Sequence, residues 1–155
     1  MSPGASDRHD WNDWENYQHV HAQYIQQFLG HFLLEDRLSF TVTRTQVRWK
    51  GELLCQGGLE IHITKLQDVR IFHGRPQVRT REYSYHVLQR VGGRTIPIVR
   101  YDNVHAHPEH PTAHHRHIFD EQGTGRIEHV GEEGWPTLSD VLKETYEWWR
   151  AHHSQ

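Results

Sequence analysis

An alternation of period two through the middle of the chain limits the fold more than any other feature. In LSFTVTR, QVRWKGELL and GLEIHIT, β-branched and aromatic residues alternate with Arg, Thr and other polar residues. Successive side chains then point to opposite faces of a half-buried sheet. The same alternation flanks Gly92-Gly93, with EYSYHVLQR leading in and TIPIVRYDN leading out. Two glycines supply the positive φ of a tight turn, so the pair predicts an antiparallel hairpin. On its first strand Tyr83, Tyr85 and Val87 share one face, and Ser84, His86 and Leu88 the other. On the return strand Ile96, Ile98 and Arg100 oppose Pro97, Val99 and Tyr101. Pro97 has no N–H for a ladder and marks an edge or a bulge.

Helical periods stand on either side of this β-rich middle. Tyr17, His21, Tyr24, Ile25, Phe28 and Phe32 recur at three- and four-residue steps, predicting an amphipathic helix from Trp14 to about Gly30 or Phe32. Near the C-terminus Thr137 follows Pro136 and precedes Asp140 by three, the pattern of a capped helix. Leu138, Val141, Leu142, Thr145 and Trp149 line one face of that helix. A short strand is predicted at Arg126–Val130. Residues 104–117 hold two prolines, six histidines and no period, and are expected to form a loop. The aperiodic residues 1–13 are expected to be a flexible lead-in. The expected fold is α+β: one domain over residues 14–155, a curved antiparallel sheet of five or six strands, flanked by an N-terminal and a C-terminal helix. A chain of 155 residues can bury a core that needs no staples.

Composition excludes some function classes. No apolar run approaches the roughly 18 residues of a membrane helix, and the N-terminus lacks the plan of a signal peptide, so a cytoplasmic protein is expected. The lone Cys55, in ELLCQGG, cannot form an internal disulfide and is expected to pack rather than react. The net charge of −3 hides a segregation. Residues 1–36 carry a net −5 and residues 101–155 a net −6, whereas residues 37–100 hold twelve Lys or Arg against four acids, a net +8. Sixteen histidines add to this, each about a quarter protonated at pH 7. The basic middle leaves a polyanion partner open.

Chemistry-bearing residues concentrate in RYDNVHAHPEHPTAHHRH, Arg100 to His117. Arg100 offers a planar fork suited to phosphate, Asp102 and Asn103 can orient neighbours, and His105, His107, His110, His114, His115 and His117 exchange protons near pH 7. Metal-free cleavage of an RNA phosphodiester needs a base, an acid and a cation, which two histidines and an arginine can supply. The plainer reading of Arg100 and Asp102 is an ion pair at a strand end. The histidines are also ligand types for zinc, nickel or copper, although neither H-E-x-x-H nor a cysteine pair accompanies them. Tyr83 and Tyr85 either pack in the core or stack a base. Trp148 and Trp149 are expected to pack, His152 and His153 to face solvent, and His62 and His73 show no constellation.

YSYHV, a hairpin, IVRYDNVHAHP, HHRH and PTLSDVLKETYEW together resemble the TumE family, toxin components of prokaryotic toxin–antitoxin pairs. The resemblance covers roughly residues 50–147. Arg100, Tyr101, Asp102 and Asn103 match the family's Arg-Tyr-Asp-Asn motif, and His114, His115, Arg116 and His117 match its closing His-His-Lys-His with Arg for Lys. Ala113 stands where that pattern has a proline. The resemblance implies a growth-inhibiting toxin, a helix-turn-helix antitoxin as partner and RNA as target. The resulting expectation is a metal-independent ribonuclease that needs no cofactor. Arg100 steadies the phosphate, His114 and His117 exchange protons, and Asp102 orients an imidazole. Tyr83, Tyr85, Tyr101, Asn103, His105, His107, His115 and Arg116 hold substrate. A non-catalytic binding module and a His-ligated metal hydrolase are the alternatives.

Overall fold

The computed structural model describes residues 10–103, 114–120, 125–130 and 135–153. Its elements are β1 (Asn12–Asp13), α1 (Trp14–Phe28), β2 (Leu33–Asp36), β3 (Ser39–Val42), β4 (Gln46–Cys55), β5 (Leu59–Phe72), β6 (Arg75–Val91), β7 (Arg94–Asp102), β8 (His115–Phe119), β9 (Gly125–His129) and α2 (Leu138–His153). All nine strands join one antiparallel sheet in the order β2-β4-β5-β6-β7-β8-β9. β1 pairs with the start of β6, beyond the stretch that pairs with β7. β2 and β3 share the free edge of β4, end to end.

The α+β class and the two helices agree with the sequence; the strand number does not. Runs of two to four residues, such as β1 and β2, are too short to show a period. A further strand, β8, occupies His115–Phe119, the first three of whose residues were expected to be loop. The prolines that argued for a loop stop at Pro111, and beyond them His115, His117 and Phe119 alternate with Arg116 and Ile118 like any strand. The lead-in is also shorter than expected. Asn12 and Asp13 lie in register with Val78 and Gln77, and the Trp11 ring sits 4.4 and 4.8 Å from the guanidinium carbons of Arg70 and Arg79. Residues 1–9 lie outside the described residues. α1 ends at Phe28, four residues before Phe32, because Leu29 is extended (φ −62°, ψ 132°) and leads into a turn.

The period-two pattern assigns the faces. Val47, Trp49, Leu53 and Cys55 of β4, Leu59, Ile61 and Ile63 of β5, Tyr83, Tyr85 and Val87 of β6, and Val99 and Tyr101 of β7 are all buried. Most of them pack with Ile25 and Phe28 of α1 and with Leu138, Val141 and Leu142 of α2. Each such aliphatic side chain contributes roughly 1.5–3 kcal/mol by leaving water. Both helices therefore cover one face. The intervening residues, among them Arg48, Lys50, His62, His86, Arg100 and Asp102, occupy the other.

Two local features fix the sheet. Gly92 and Gly93 take φ 55° and 79°, the turn predicted between β6 and β7. Pro97 stands opposite Leu88 beside a register shift, the predicted bulge. On the other side of the sheet the chain crosses from β2 to β3 directly over Gly51, where a Cβ would come 2.2 Å from the Arg37 carbonyl oxygen. Only glycine fits there.

Candidate functional site

The Arg-Tyr-Asp-Asn motif closes β7, and strand alternation splits its roles between faces. Tyr101 points to the helices, where its hydroxyl donates to Glu144 Oε2 of α2 at 2.8 Å. Burial, and then the hydrogen bond to Glu144, push that hydroxyl above its usual range. Asn103 stitches β7 to β6. Its Oδ1 accepts from the Tyr83 N–H at 2.8 Å and its Nδ2 donates to the Arg81 carbonyl at 2.9 Å. Arg100 and Asp102, two residues apart, share the face away from the helices, where Arg100 Nε donates to Asp102 Oδ2 at 2.9 Å.

Register then brings β8 into the cluster. Arg100 stands opposite His117 and Asp102 opposite His115. His117 Nε2 lies 3.3 Å from the same Asp102 Oδ2 and 3.4 Å from Arg100 Nη2. One carboxylate oxygen thus holds a guanidinium and an imidazole together. The Asp102 side chain is only 6% exposed and His117 13%, whereas Arg100 is 35% exposed and reaches solvent. His115 is fully buried beside them, its ring 6.4 Å from that of His117.

On the other flank of Arg100, β6 supplies His86, in register with Arg100, and β5 supplies His62, in register with His86. His62, His86 and Arg100 line one cavity of about 290 Å3 together with Lys50, Glu52 and Ser84. His86 Nε2 is buried and has no hydrogen-bond partner among the described residues. Burial, with Arg100, His62 and His117 nearby, holds its pKa below the usual 6.5, so it is neutral at pH 7. His62 Nε2 pairs with Glu60 Oε1 at 2.9 Å, and Arg90 Nε with Glu60 Oε2 at 2.6 Å. Burial raises the Glu60 pKa, but these hydrogen bonds outweigh it and hold the carboxyl below its usual range.

The cluster therefore unites Arg100, Asp102 and His117, with His115 beside them, and adds His86 and His62. It leaves out His114. Three residues before His117 on an extended chain, His114 projects to the helix face. There its Nδ1 lies 2.9 Å from the Tyr83 hydroxyl and its ring 4.5 Å from the Trp135 ring. Tyr83 and Tyr85 are 1% and 2% exposed within the core, so they pack and cannot stack a base. Arg116 also faces α2, donating to Glu144 Oε1 at 2.8 Å. His105 and His107 lie outside the described residues. Trp148 and Trp149 pack against the core as expected. Cys55 is buried, and burial pushes its thiol up to about 12, far from a nucleophile's range. Among the described residues, no three of His, Cys, Asp and Glu converge as metal ligands. None of their helices is long and apolar enough to cross a membrane.

His62 and His86 were within reach of the sequence only in part. Both fall on the polar phase of their strands, so their face was readable. Their place abreast of Arg100 depends on the β5–β6–β7 register, which no local pattern encodes.

Fold and site define an α+β protein with both helices on one face of an antiparallel sheet and an Arg–Asp–His cluster on the other. The family model described as Toxin TumE matches residues 21–151. The chain belongs to the TumE family, the toxin components of toxin–antitoxin systems, and its implied partner is an antitoxin. No curated protein and no solved structure matches it.

Proposed function

We propose that this toxin cleaves RNA without a metal, using Arg100, Asp102 and His117 with His86 beside them. The convergence of one guanidinium, one carboxylate and two imidazoles from β6, β7 and β8 carries the reading. In the proposed reaction a ribose 2′-oxygen bonds to phosphorus as the bond from phosphorus to the 5′-oxygen breaks, leaving a 2′,3′-cyclic phosphate. His86, held neutral, takes the 2′-hydroxyl proton. His117, oriented by Asp102, returns a proton to the leaving oxygen. Arg100, exposed enough to reach a ligand, stabilises the charge that develops on the phosphorane. His86 replaces His114 in this scheme because His114 lies across the sheet.

Charge supports an RNA substrate. Arg48, Lys50, Arg79 and Arg100 lie on the same face as the cluster, within the segment that carries a net +8. The neutralising antitoxin, a helix-turn-helix protein by family resemblance, then acts in the cytoplasm, where the target RNA is.

The test incubates the purified protein with total RNA, with and without EDTA, beside a folded His117→Ala variant. Cleavage that survives EDTA and disappears in the variant supports the proposal. Cleavage retained in the variant removes His117 from the site. RNA that is bound but intact in every lane favours the binding module, and activity lost to EDTA and restored by zinc or manganese favours a His-ligated metal hydrolase.

A further inference from the structure

A second site lies on the opposite side of the sheet. Between the N-terminal parts of α1 and α2 is a cavity of about 450 Å3, within the roughly 300–1,000 Å3 of small-molecule pockets. Its walls include Tyr17, His21 and Tyr24 of α1, Tyr85 of β6, Trp135 and the first turn of α2, and Lys65 of β5 lines it too.

Lys65 is the anomaly. It continues the phase of Leu59, Ile61 and Ile63, so it points into the helix-covered face, and it is only 5% exposed. Its ammonium donates to the Tyr17 hydroxyl and lies 5.0, 5.6 and 5.8 Å from the rings of Tyr17, Trp49 and Tyr85. Among the described residues no carboxylate pairs with it, and two of its three N–H donors find no acceptor. A buried cation without a counter-charge costs several kcal/mol. Here it borders a cavity that can hold the missing anion.

The rest of the lining fits an anion of low charge. Thr137, Leu138 and Ser139 bring the positive end of the α2 dipole to the same space. Asp140 also lines it, but its carboxylate accepts the Thr137 N–H at 2.8 Å and caps the helix. Burial, then Lys65, lower the His21 pKa to about 4, so the imidazole is neutral at pH 7. One ammonium and one helix end against one carboxylate suit a monoanion better than a phosphomonoester dianion. The aromatic walls suit a flat apolar body.

We propose that this cavity binds a small aromatic carboxylate, its carboxylate on Lys65 and its ring among Tyr17, Tyr24 and Trp135. The site is independent of the Arg100 cluster and of the ribonuclease reading.

The test titrates the full chain with benzoate and with benzamide, its neutral analogue, and follows ligand saturation-transfer NMR and tryptophan fluorescence. Benzoate should bind saturably and at least about tenfold more tightly than benzamide. Binding should weaken by a similar factor in Lys65→Met and in Val20→Trp, which fills the mouth from a helix position 45% exposed and leaves Lys65 in place. It should persist in Arg100→Met, which separates this cavity from the other cation cluster. No saturable benzoate binding up to about 10 mM, equal binding of benzamide, loss only in Arg100→Met, or undiminished binding in folded Lys65→Met and Val20→Trp would each overturn the proposal.

Discussion

Lowering the pH from 8 to 4.5 is expected to cost this fold about 2.5 kcal/mol through His21 alone. The His21 ring lies 5.0 Å from that of Trp49 and 5.2 Å from that of Tyr24, and its Nδ1 is 3.0 Å from the Tyr24 hydroxyl. Burial, and then the Lys65 ammonium, lower its pKa from 6.5 to about 4. In the unfolded chain the imidazole takes up a proton as the pH falls through 6.5; in the folded chain it resists until about 4. Acid therefore favours the unfolded state between those two values, and the loss levels off below about 4. Each pH unit inside the window costs up to about 1.4 kcal/mol, against a total stability of roughly 5–15 kcal/mol. Other groups titrate in the same range, among them His86 and Glu60, so the informative quantity is a difference. His21→Phe keeps an aromatic ring against Trp49 and removes the titration. Urea unfolding of both proteins at pH 8 and pH 4.5, followed by tryptophan fluorescence, should show the native chain losing about 2.5 kcal/mol more than the variant over that interval. Equal losses, with equal dependence on urea, would refute the account of His21 as a buried neutral imidazole.

The Arg100–Asp102 pair should respond asymmetrically. Arg100→Met leaves a carboxylate whose side chain is 6% exposed with only the His117 imidazole beside it and should cost about 2–3 kcal/mol, whereas Asp102→Asn frees an arginine that is 35% exposed to turn to water and should cost about 1 kcal/mol. Chemical denaturation at pH 7 measures both, and the reverse order would contradict the burial assigned to them. Gly51→Ala places a Cβ 2.2 Å from the Arg37 oxygen at φ 144° and should lower stability by about 3 kcal/mol or more. Gly74→Ala, at φ 76° with no atom within 4 Å of the added Cβ, should cost only about 1 kcal/mol, so similar melting temperatures for the two would refute the crossing of β4.

The sequence alone determined the class of fold, the two helices, the hairpin at Gly92-Gly93 and the faces of the long strands, because each of these rests on neighbours two to four residues apart. The Thr137–Asp140 cap belongs with them: Asp140 N–H donates to Thr137 Oγ1 at 3.2 Å, and Thr137 N–H donates back to Asp140 Oδ2 at 2.8 Å. Arg100 and Asp102 fall together for the same reason, since residues two apart on a strand share a face. His114 and His117 were paired by residue type, and once the segment is a strand the same rule puts them on opposite faces. Lys65 was legible too, as a charge on the apolar phase of Leu59, Ile61 and Ile63, though nothing local distinguishes a functional cation from a misfit. The tertiary structure alone decided that His62, His86, Arg100 and His117 stand abreast. Their row is set by pairing across four strands, and the sequence separations involved, from 14 residues to 55, are spanned by hydrogen-bonded register rather than by any period along the chain.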